Sequence, residues 1–167
     1  YKIFFDITDK KLLPNLMMTE QALYSASTVE QSKLTTNLIG KFVRHKNIRI
    51  YEFGASAGAN TIEFAKKYKV TSFEKNITVI ACLVNNLNIE GLSRKVTLVP
   101  GDCVKKYSNV FNQKDKDEKN VLFFDPPWGG PEYNTEKGIV LGYTYEEEKS
   151  KSFIPCDTIL KEISKNN

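Results

Sequence analysis

The stretch FFDPPWGGPEYN, Phe123 to Asn134, places an acid, two prolines, a tryptophan and two glycines in immediate succession. Pro126 and Pro127 lack N–H groups and have fixed φ angles, so they form a rigid turn whose carbonyl oxygens remain free to accept. The Asp125 carboxylate and the Pro126 carbonyl can hold the two hydrogens of an exocyclic amino group, while Trp128 stacks on the ring that carries it. This order of residues indicates chemistry on the amino group of a planar heterocycle.

The predicted catalytic residues are therefore Asp125, Pro126 and Trp128. A held amine attacks an electrophile in line, and such a transfer depends mainly on positioning, so no strong base is needed. We expect Asp125 to orient the amine more than to deprotonate it, because the ammonium that forms when the amine attacks is itself acidic. The alternative, a proline-rich strand end with a core tryptophan, is disfavoured because Trp-Gly-Gly-Pro makes a poor core segment.

A small-residue loop, Glu52-Phe53-Gly54-Ala55-Ser56-Ala57-Gly58, follows a predicted strand and precedes a predicted helix. Gly54 and its small neighbours let the backbone approach a ligand closely, and the following helix terminus favours electron-rich groups. The pattern alone is weak, since related loops bind NAD, FAD and phosphates or simply pack a helix on a sheet. Ser56 and the absence of a Lys-Ser/Thr pair argue against a phosphate-binding P-loop.

Three acids end successive predicted strands, and this repetition supports a ligand site. Glu74 lies about twenty residues after the loop, where a carboxylate can accept both ribose hydroxyls of a nucleoside. Asp102 ends the next strand, where it can accept from an adenine amino group. Together with Glu52 these acids predict a nucleoside cofactor. S-adenosylmethionine supplies both the nucleoside and the electrophilic methyl group that the amine held by Asp125 can attack.

The elements that position these residues alternate between strand and helix. A capping box at Ser27 to Glu30 predicts a helix that ends near His45 with Leu34, Leu38 and Phe42 buried. The other predicted elements are strands at 47–53, 69–73, 96–99 and 121–124, and helices from 60 or 61, at 76–89 with Ile77, Ile80, Ala81, Val84 and Leu87 inward, and at 156–167. We expect loops elsewhere, including Glu146 to Glu148. This alternation predicts an α/β fold with a doubly wound, mainly parallel sheet and helices on both faces.

Composition predicts one globular unit. The chain has 167 residues, is 41% hydrophobic and carries a net charge of +4, a mild sign of a polyanionic partner. Apolar runs are too short for a membrane span, and we expect neither a membrane nor a metal partner. Three dispersed cysteines indicate a reduced intracellular compartment, such as the nucleus, cytoplasm or a viral factory. We also expect a monomer.

The predicted domain boundary lies between residues 26 and 27. Residues 1–26 lack a clear period and are expected to form a lead-in or lid with short helical pieces, and residues 27–167 form the main domain. Because the first residue is Tyr1 and the predicted sheet needs further strands, we expect the sequence to be part of a longer chain, incomplete at its C-terminal end.

From about Tyr24 to Tyr133 the chain resembles the trimethylguanosine synthases, class I methyltransferases of Rossmann-like fold that methylate N2 of the 7-methylguanosine cap of RNA. The matching pieces are Tyr24 to Ser27, Glu52 to Thr61, Glu74, Asn85-Asn86, Gly101-Asp102 and Pro126 to Tyr133. The most specific is PPWGGP followed by an acid and a tyrosine, because DPPW alone also occurs in adenine N6 methyltransferases.

The resemblance implies roles for several residues. Glu52, Asn60, Glu74 and Asp102 would line the cofactor site, with Ser25 and Ser27 closing over it. Trp128 would stack on the methylated guanine, whose positive charge favours an indole face, Asn86 would help to hold the base, and Tyr133 would reach the cap phosphates.

Two departures from the family keep alternatives open. Asp125 stands where the cap enzymes tend to have Ser, which leaves a shift toward N6 of adenine, or toward guanine N2 in another RNA or DNA, as the second hypothesis. The cofactor loop is richer in Ala than in the family, a change that is tolerable if its turn keeps negative φ. The third hypothesis is a catalytically inactive cap-binding module.

Overall fold

A four-stranded parallel sheet forms the centre of the protein. The computed structural model describes residues 3–7, 9–111, 117–127, 140–147 and 150–165. The sheet has the order β3-β2-β1-β4, with β1 at Ile48–Phe53, β2 at Lys69–Glu74, β3 at Val96–Pro100 and β4 at Lys119–Phe124. All three strand pairs are parallel. The predicted strands and their parallel arrangement are confirmed.

Helices connect the strands and flank the sheet. They are α1 (Glu20–Ser25), α2 (Val29–Val43), α3 (Ala59–Lys67), α4 (Ile77–Ile89), α5 (Cys103–Phe111) and α6 (Cys156–Lys165), with 3₁₀ turns at Lys10–Asn15 and Ser93–Lys95. α5 was not predicted, whereas α6 and the short helical pieces of the lead-in were. In the described part of the chain, no helix is long and apolar enough to cross a membrane.

The start and the buried face of α2 differ from the prediction. The capping box is formed by Thr28 and Gln31, one residue later than the Ser27 and Glu30 pair. The predicted stripe of Leu34, Leu38 and Phe42 is exposed, by 60%, 41% and 76%. The buried positions are Val29, Ser32 and Thr36. Hydroxyls that make hydrogen bonds can replace apolar side chains where α2 meets α3, so apolar spacing pointed to the wrong face.

α4 is likewise rotated relative to the prediction. Ile77 is 76% exposed and Val84 42% exposed, although both were placed on the buried face. Ala81 is exposed as well. Ile80 and Leu87 are buried as predicted, and Val79, Cys82 and Leu83 complete the buried face. Because the helix is apolar almost all round, its sequence did not define which stripe faces the sheet.

The lead-in packs into the core of the main domain. Phe4, Phe5 and Leu16 form one buried cluster with Ala55 of the small-residue loop and Ile62 of α3. The backbone also joins the two parts, since the amide at the start of α2 donates to the carbonyl of residue 3. The domain boundary after residue 26 stays a prediction.

A two-stranded antiparallel hairpin follows β4 in the described chain. Its strands are β5 (Gly142–Glu147) and β6 (Ser150–Pro155), in a region expected to be loop. Tyr143 is only 7% exposed and joins the cluster that contains Phe53, Tyr107 and Ile159. β4 itself is half-buried rather than covered on both faces, because it forms an edge of the described sheet.

Candidate functional site

The small-residue loop turns sharply at the carboxyl end of β1. Gly54 has a φ of +96°, and a Cβ there would lie 2.7 Å from the Asp125 carbonyl oxygen. Gly58 has a φ of +99° at the start of α3, where a Cβ would lie 2.7 Å from Leu83 Cδ1. Both positions therefore require glycine. The close approach at Gly54 brings the predicted donor loop directly against the predicted acceptor motif.

Ser56, between these glycines, also adopts a left-handed conformation. Its φ is +50°, so the condition of negative φ, under which the Ala-rich loop is tolerable, is met by the alanines of the loop but not by Ser56. A serine in this region is strained relative to glycine. Its amide donates to Glu74 Oε2 at 3.1 Å. This hydrogen bond holds the turn against the end of β2 and compensates part of the strain.

Glu74 receives backbone N–H groups from two loops. Besides the Ser56 amide on Oε2, its Oε1 accepts from the amides of Lys75 and Asn76, each at 2.9 Å. Its side chain is half-buried at the carboxyl end of β2. A carboxylate has about four lone-pair positions, so after these three bonds Glu74 keeps about one position for the predicted ribose hydroxyls.

Asp102 has a structural role that the sequence did not reveal. Its Oδ1 accepts from the Val104 amide at 2.9 Å and caps the start of α5. The preceding Gly101, with φ of +116°, donates its amide to the Glu74 carbonyl at 2.8 Å. Asp102 therefore lies beside Glu74 at the same edge of the sheet, half-buried, with one carboxylate oxygen available for a ligand.

Glu52 is the deepest of the acids. It is 0% exposed, and its Oε2 accepts from the hydroxyls of Thr61 at 2.6 Å and Ser72 at 2.7 Å. Burial raises the pKa of its carboxyl to about 8, although the two hydroxyls oppose this shift. The side chain thus lies beneath the loop, within the sheet end, and not on its surface.

Asn60 joins the acceptor motif to α2 and to Ser27, which lies just before α2. Its Nδ2 donates to Asp125 Oδ2 at 3.3 Å and to Ser27 Oγ at 3.2 Å. Its Oδ1 accepts from Ser32 Oγ at 2.8 Å, which determines the orientation of the amide. Burial raises the pKa of Asp125, and the hydrogen bond from Asn60 opposes that shift. Asn60 therefore orients the carboxylate predicted to hold the amine.

The remaining predicted residues divide into three groups. Ser25 is exposed and its hydroxyl donates to the Gln21 carbonyl within α1, so Ser27 alone of the two serines contacts Asn60. Pro126 is buried directly after Asp125. Trp128 and Tyr133 lie outside the described residues, and their roles stay predictions.

Asn86 is used inside the protein. It is 0% exposed, and its Nδ2 donates to the carbonyls of Met17 at 2.7 Å and Ala57 at 2.9 Å. Its Oδ1 accepts from the Met17 amide at 2.9 Å. The prediction that Asn86 holds the base therefore needs correction, because its amide is saturated by backbone groups. Asn86 instead fastens the lead-in to the small-residue loop.

Tyr143 is a site residue that the sequence analysis missed. Its hydroxyl donates to the Phe53 carbonyl at 2.6 Å, and the same carbonyl accepts from the Asp125 amide at 3.1 Å. Burial raises the pKa of this hydroxyl, so it remains a donor. The alternation Tyr143-Thr144-Tyr145 is typical of a strand with one buried face, and it was the available signal.

The comparison with protein families identifies residues 45–166 with the RNA cap guanine-N2 methyltransferase family. The trimethylguanosine synthase of Schizosaccharomyces pombe is 40% identical over 124 residues, which are 66% of this chain and 51% of that protein. The trimethylguanosine synthase of Saccharomyces cerevisiae is 27% identical over 120 residues, 71% of this chain and 37% of that one. The chain thus spans about half or less of these relatives.

Two methyltransferases of solved structure have a similar backbone. An O-methyltransferase of Streptomyces achromogenes in complex with SAM has a TM-score of 0.53 at 20% identity, over 66% of this chain and 50% of that one. An O-methyltransferase of Bacillus cereus in complex with SAH has a TM-score of 0.51 at 17% identity, over 70% and 59% of the two chains. These similarities confirm the class I methyltransferase fold. With the family match over most of its length, the chain belongs to the RNA cap guanine-N2 methyltransferase family.

Proposed function

We propose that this protein transfers a methyl group from S-adenosylmethionine to N2 of the 7-methylguanosine cap of RNA. One observation carries the proposal furthest: the Asp125 carbonyl oxygen lies only 2.7 Å from the position that a Cβ at Gly54 would take. The motif that holds an amine and the loop that approaches a nucleoside are thus adjacent. Family membership supports the choice of the guanine N2 amine.

In the proposed donor site, the acids bind the nucleoside. Glu74 would accept from the ribose hydroxyls and Asp102 from the adenine amino group, since both carboxylates lie at the same sheet edge with unused oxygen capacity. The small residues that follow Gly54 would let the methionine part lie close to the loop backbone. Bound there, S-adenosylmethionine would supply an electrophilic methyl group on its sulfonium.

In the proposed acceptor site, Asp125 and the Pro126 carbonyl hold the two N2 hydrogens. Asn60 orients the Asp125 carboxylate at 3.3 Å, so the pair of acceptors is arranged before substrate binds. Trp128 would clamp the guanine by stacking, and Tyr133 would contact the cap phosphates. The proton of the methylated ammonium can pass to Asp125 or directly to water.

Mass spectrometry of a cap analogue tests the proposal. The protein is incubated with S-adenosylmethionine and 7-methylguanosine triphosphate linked to guanosine, and the product is expected to be heavier by one or two methyl groups. The matched substrate without the N7 methyl group should react far more slowly, because neutral guanine stacks less strongly on an indole. An unchanged mass with folded, cofactor-binding protein contradicts the proposal.

A second candidate function rests on Asp125 itself. An acid before Pro-Pro-Trp is the arrangement that the sequence shares with adenine N6 methyltransferases, so adenine in RNA or DNA is the alternative acceptor. The chain has one tryptophan, Trp128, whose fluorescence separates the two. Strong quenching by 7-methylguanosine phosphates with weak quenching by GTP and ATP supports the cap. Methylation of an adenosine oligonucleotide, with no reaction of the cap analogue, supports the alternative.

A further inference from the structure

Glu52 is a buried acid whose partners are all uncharged. Its Oε2 accepts from the hydroxyls of Thr61 and Ser72. Its Oε1 is buried and has no hydrogen-bond partner among the described residues. An ionised carboxylate at 0% exposure is normally paired with a cation, because removing its charge from water is costly. Glu52 therefore has the surroundings of a neutral carboxylic acid.

The charged groups that face Glu52 reinforce this neutral state. From β4 it faces Asp125, and from β2 it faces Glu74, both of which raise its pKa. The nearest helix, α3, presents the uncharged side chains of Asn60 and Thr61, while its Lys66 pairs with Glu63. A third negative charge at this sheet edge is thus opposed by burial first and by two like charges second.

We propose that Glu52 is protonated in the ligand-free protein and that binding of the positively charged methyl donor releases this proton to the solvent. The inference rests on the proposed function, since it assigns S-adenosylmethionine to this site. The donor has two positive groups, its sulfonium and its ammonium, and one negative group, its own carboxylate, so its net charge is positive. Its positive charge at the sheet edge favours the ionised acid, whose Oε1 has no hydrogen-bond partner among the described residues.

Through this proton, Glu52 would help to determine how much more tightly the protein binds the methyl donor than the demethylated product. When the methyl group has left, S-adenosylhomocysteine lacks the positive sulfur, so the Glu52 anion loses part of its stabilisation and regains the proton from solvent. The preference for donor over product is then expected to increase with pH. Below the pKa of the ligand-free carboxyl, about 8, donor affinity rises by at most about tenfold per pH unit.

Calorimetry in buffers of different ionisation enthalpy counts the released protons. For the wild type at pH 7, S-adenosylmethionine is expected to release roughly half to one proton, and S-adenosylhomocysteine clearly less. Glu52→Gln, which mimics the neutral acid, should bind the donor more weakly and release almost none. Titrations stay below about pH 7.5, because the α-amine of the ligand itself loses a proton near 8.

Glu63→Gln is the matched control. Glu63 lies on α3, the helix nearest to Glu52, and is 5% exposed. Because it is paired with Lys66, its replacement should leave the proton count at the wild-type value. If Glu52→Gln and the wild type release equal numbers of protons, the inference is overturned while the proposed function stands. If folded wild-type protein does not bind S-adenosylmethionine at all, the proposed function itself fails.

Infrared difference spectroscopy keeps the inference testable if Glu52→Gln does not fold. A protonated carboxylic acid has a C=O band that its anion lacks. Adding S-adenosylmethionine to wild-type protein at pH 7 should remove one such band. A spectrum without that loss, together with a calorimetric proton count of zero, overturns the inference.

Discussion

At the scale of single residues, the candidate site is defined by what each polar atom can still bind. Glu74 and Asp102 use part of their oxygens to hold backbone amides and keep the rest, whereas Asn86 has its amide saturated. In the sequence, all three were predicted to contact a ligand. Hydrogen-bond capacity separates residues that can contact a ligand from residues that shape its pocket.

Trp128 carries the first residue-scale prediction. Trp128→Ala should reduce cap methylation by at least about a hundredfold, because stacking is worth about 1–3 kcal/mol per base and also positions the amine. Affinity for S-adenosylmethionine, measured by calorimetry, should stay within about threefold. Trp128→Phe should retain part of the activity. Undiminished methylation by the alanine variant refutes the stacking role.

Gly54 carries the second residue-scale prediction. Gly54→Ala places a Cβ 2.7 Å from the Asp125 carbonyl oxygen at a φ of +96°, so both the loop and the acceptor motif must shift. We expect a loss of about 1–3 kcal/mol in the free energy of unfolding and a fall in methylation of more than tenfold. Gly91→Ala is the control, since it has a similar positive φ and no atom within 4 Å of the new Cβ. Equal activity in the two variants contradicts a tight approach at Gly54.

At the scale of elements, hydrogen bonds from distant segments support the sheet edge. The lead-in is held through Asn86, α2 through Ser32 and Asn60, and β5 through Tyr143. From there Asn86 donates to the Ala57 carbonyl of the small-residue loop and Asn60 donates to Asp125, while the Tyr143 hydroxyl donates directly to the Phe53 carbonyl. The geometry of the edge therefore depends on segments far away in sequence.

The contact from β5 predicts the effect of Tyr143→Phe. The variant keeps the buried ring and removes the hydroxyl that shares the Phe53 carbonyl with the Asp125 amide. The free energy of unfolding should fall by about 1 kcal/mol. The turnover rate should fall by roughly threefold to tenfold with an unchanged dissociation constant for S-adenosylmethionine.

Tyr145→Phe is the matched control for this variant. Tyr145 lies on the same strand, two residues along, and is half-buried. Its variant should match the wild type in turnover. If Tyr143→Phe lowers stability but leaves turnover intact, Tyr143 supports the core without positioning Asp125.

The fastening of the lead-in predicts the effect of Asn86→Ala. The change leaves the Met17 amide and the carbonyls of Met17 and Ala57 without these partners, at a cost of about 2–4 kcal/mol in unfolding free energy. Limited proteolysis should then cut the lead-in faster, and affinity for S-adenosylmethionine should fall. Asn85→Ala loses two bonds, to the Asn15 carbonyl and to Asn86 Oδ1, but keeps the Asn86 bonds to Met17 and Ala57 and should have a smaller effect. If Asn86→Ala has normal stability but a raised KM for the cap, the result would instead support the predicted contact between Asn86 and the base.

At the scale of the whole molecule, the two ends of the sheet have opposite electrostatics. The carboxyl ends collect Glu52, Glu74 and Asp125 with raised pKa values at Glu52 and Asp125. At the other end, Arg49 and Lys69 pair with the buried Glu118. The hydrogen bond from Arg49, with further support from Lys69, lowers the pKa of Glu118. Arg49 and Lys69 thus neutralise a buried acid at one end. At the other end, where we place a cationic ligand, the nearby Lys75 and Lys106 bond to backbone carbonyls, and no ion pair to Glu52, Glu74 or Asp125 occurs among the described residues.

These shifts predict opposite pH dependences for two variants. The raised pKa of Glu52 means that its contribution to stability is present at low pH and is lost as pH rises toward about 8, by up to about 1.4 kcal/mol per unit. The lowered pKa of Glu118 means that its contribution is present above the unfolded value and is lost in acid.

Urea denaturation at about pH 3, 5, 6.5 and 8 measures both, because the lowest of these lies below 4.5, the ordinary pKa of glutamate. Relative to wild type, Glu52→Gln should become increasingly stable as the pH rises. Glu118→Gln should be less stable by roughly 2–3 kcal/mol at neutral pH, less than for a fully buried pair because Lys69 is 62% exposed, and this deficit should shrink in acid. Parallel curves for all three proteins contradict the assignment of both carboxyls.

The sequence by itself determined the parallel α/β fold, the positions of its four central strands and the edge where the acids meet. Period, turn residues and strand ends are local properties, and the carboxyl ends of parallel strands necessarily share one edge. The motif around Pro126 and Trp128 also determined the family. Each of these conclusions needed only neighbours in the chain.

The tertiary structure decided which faces are buried and what each polar side chain does. Leu34 and Phe42 are exposed while Ser32 is buried, because a hydroxyl bonded to Asn60 replaces apolar contact between helices. Asn86 and Tyr143 contact residues 69 and 90 positions away, and no local pattern carries such a partner. Burial and hydrogen-bond saturation are sums over the whole fold, so they emerge only when the chain has folded.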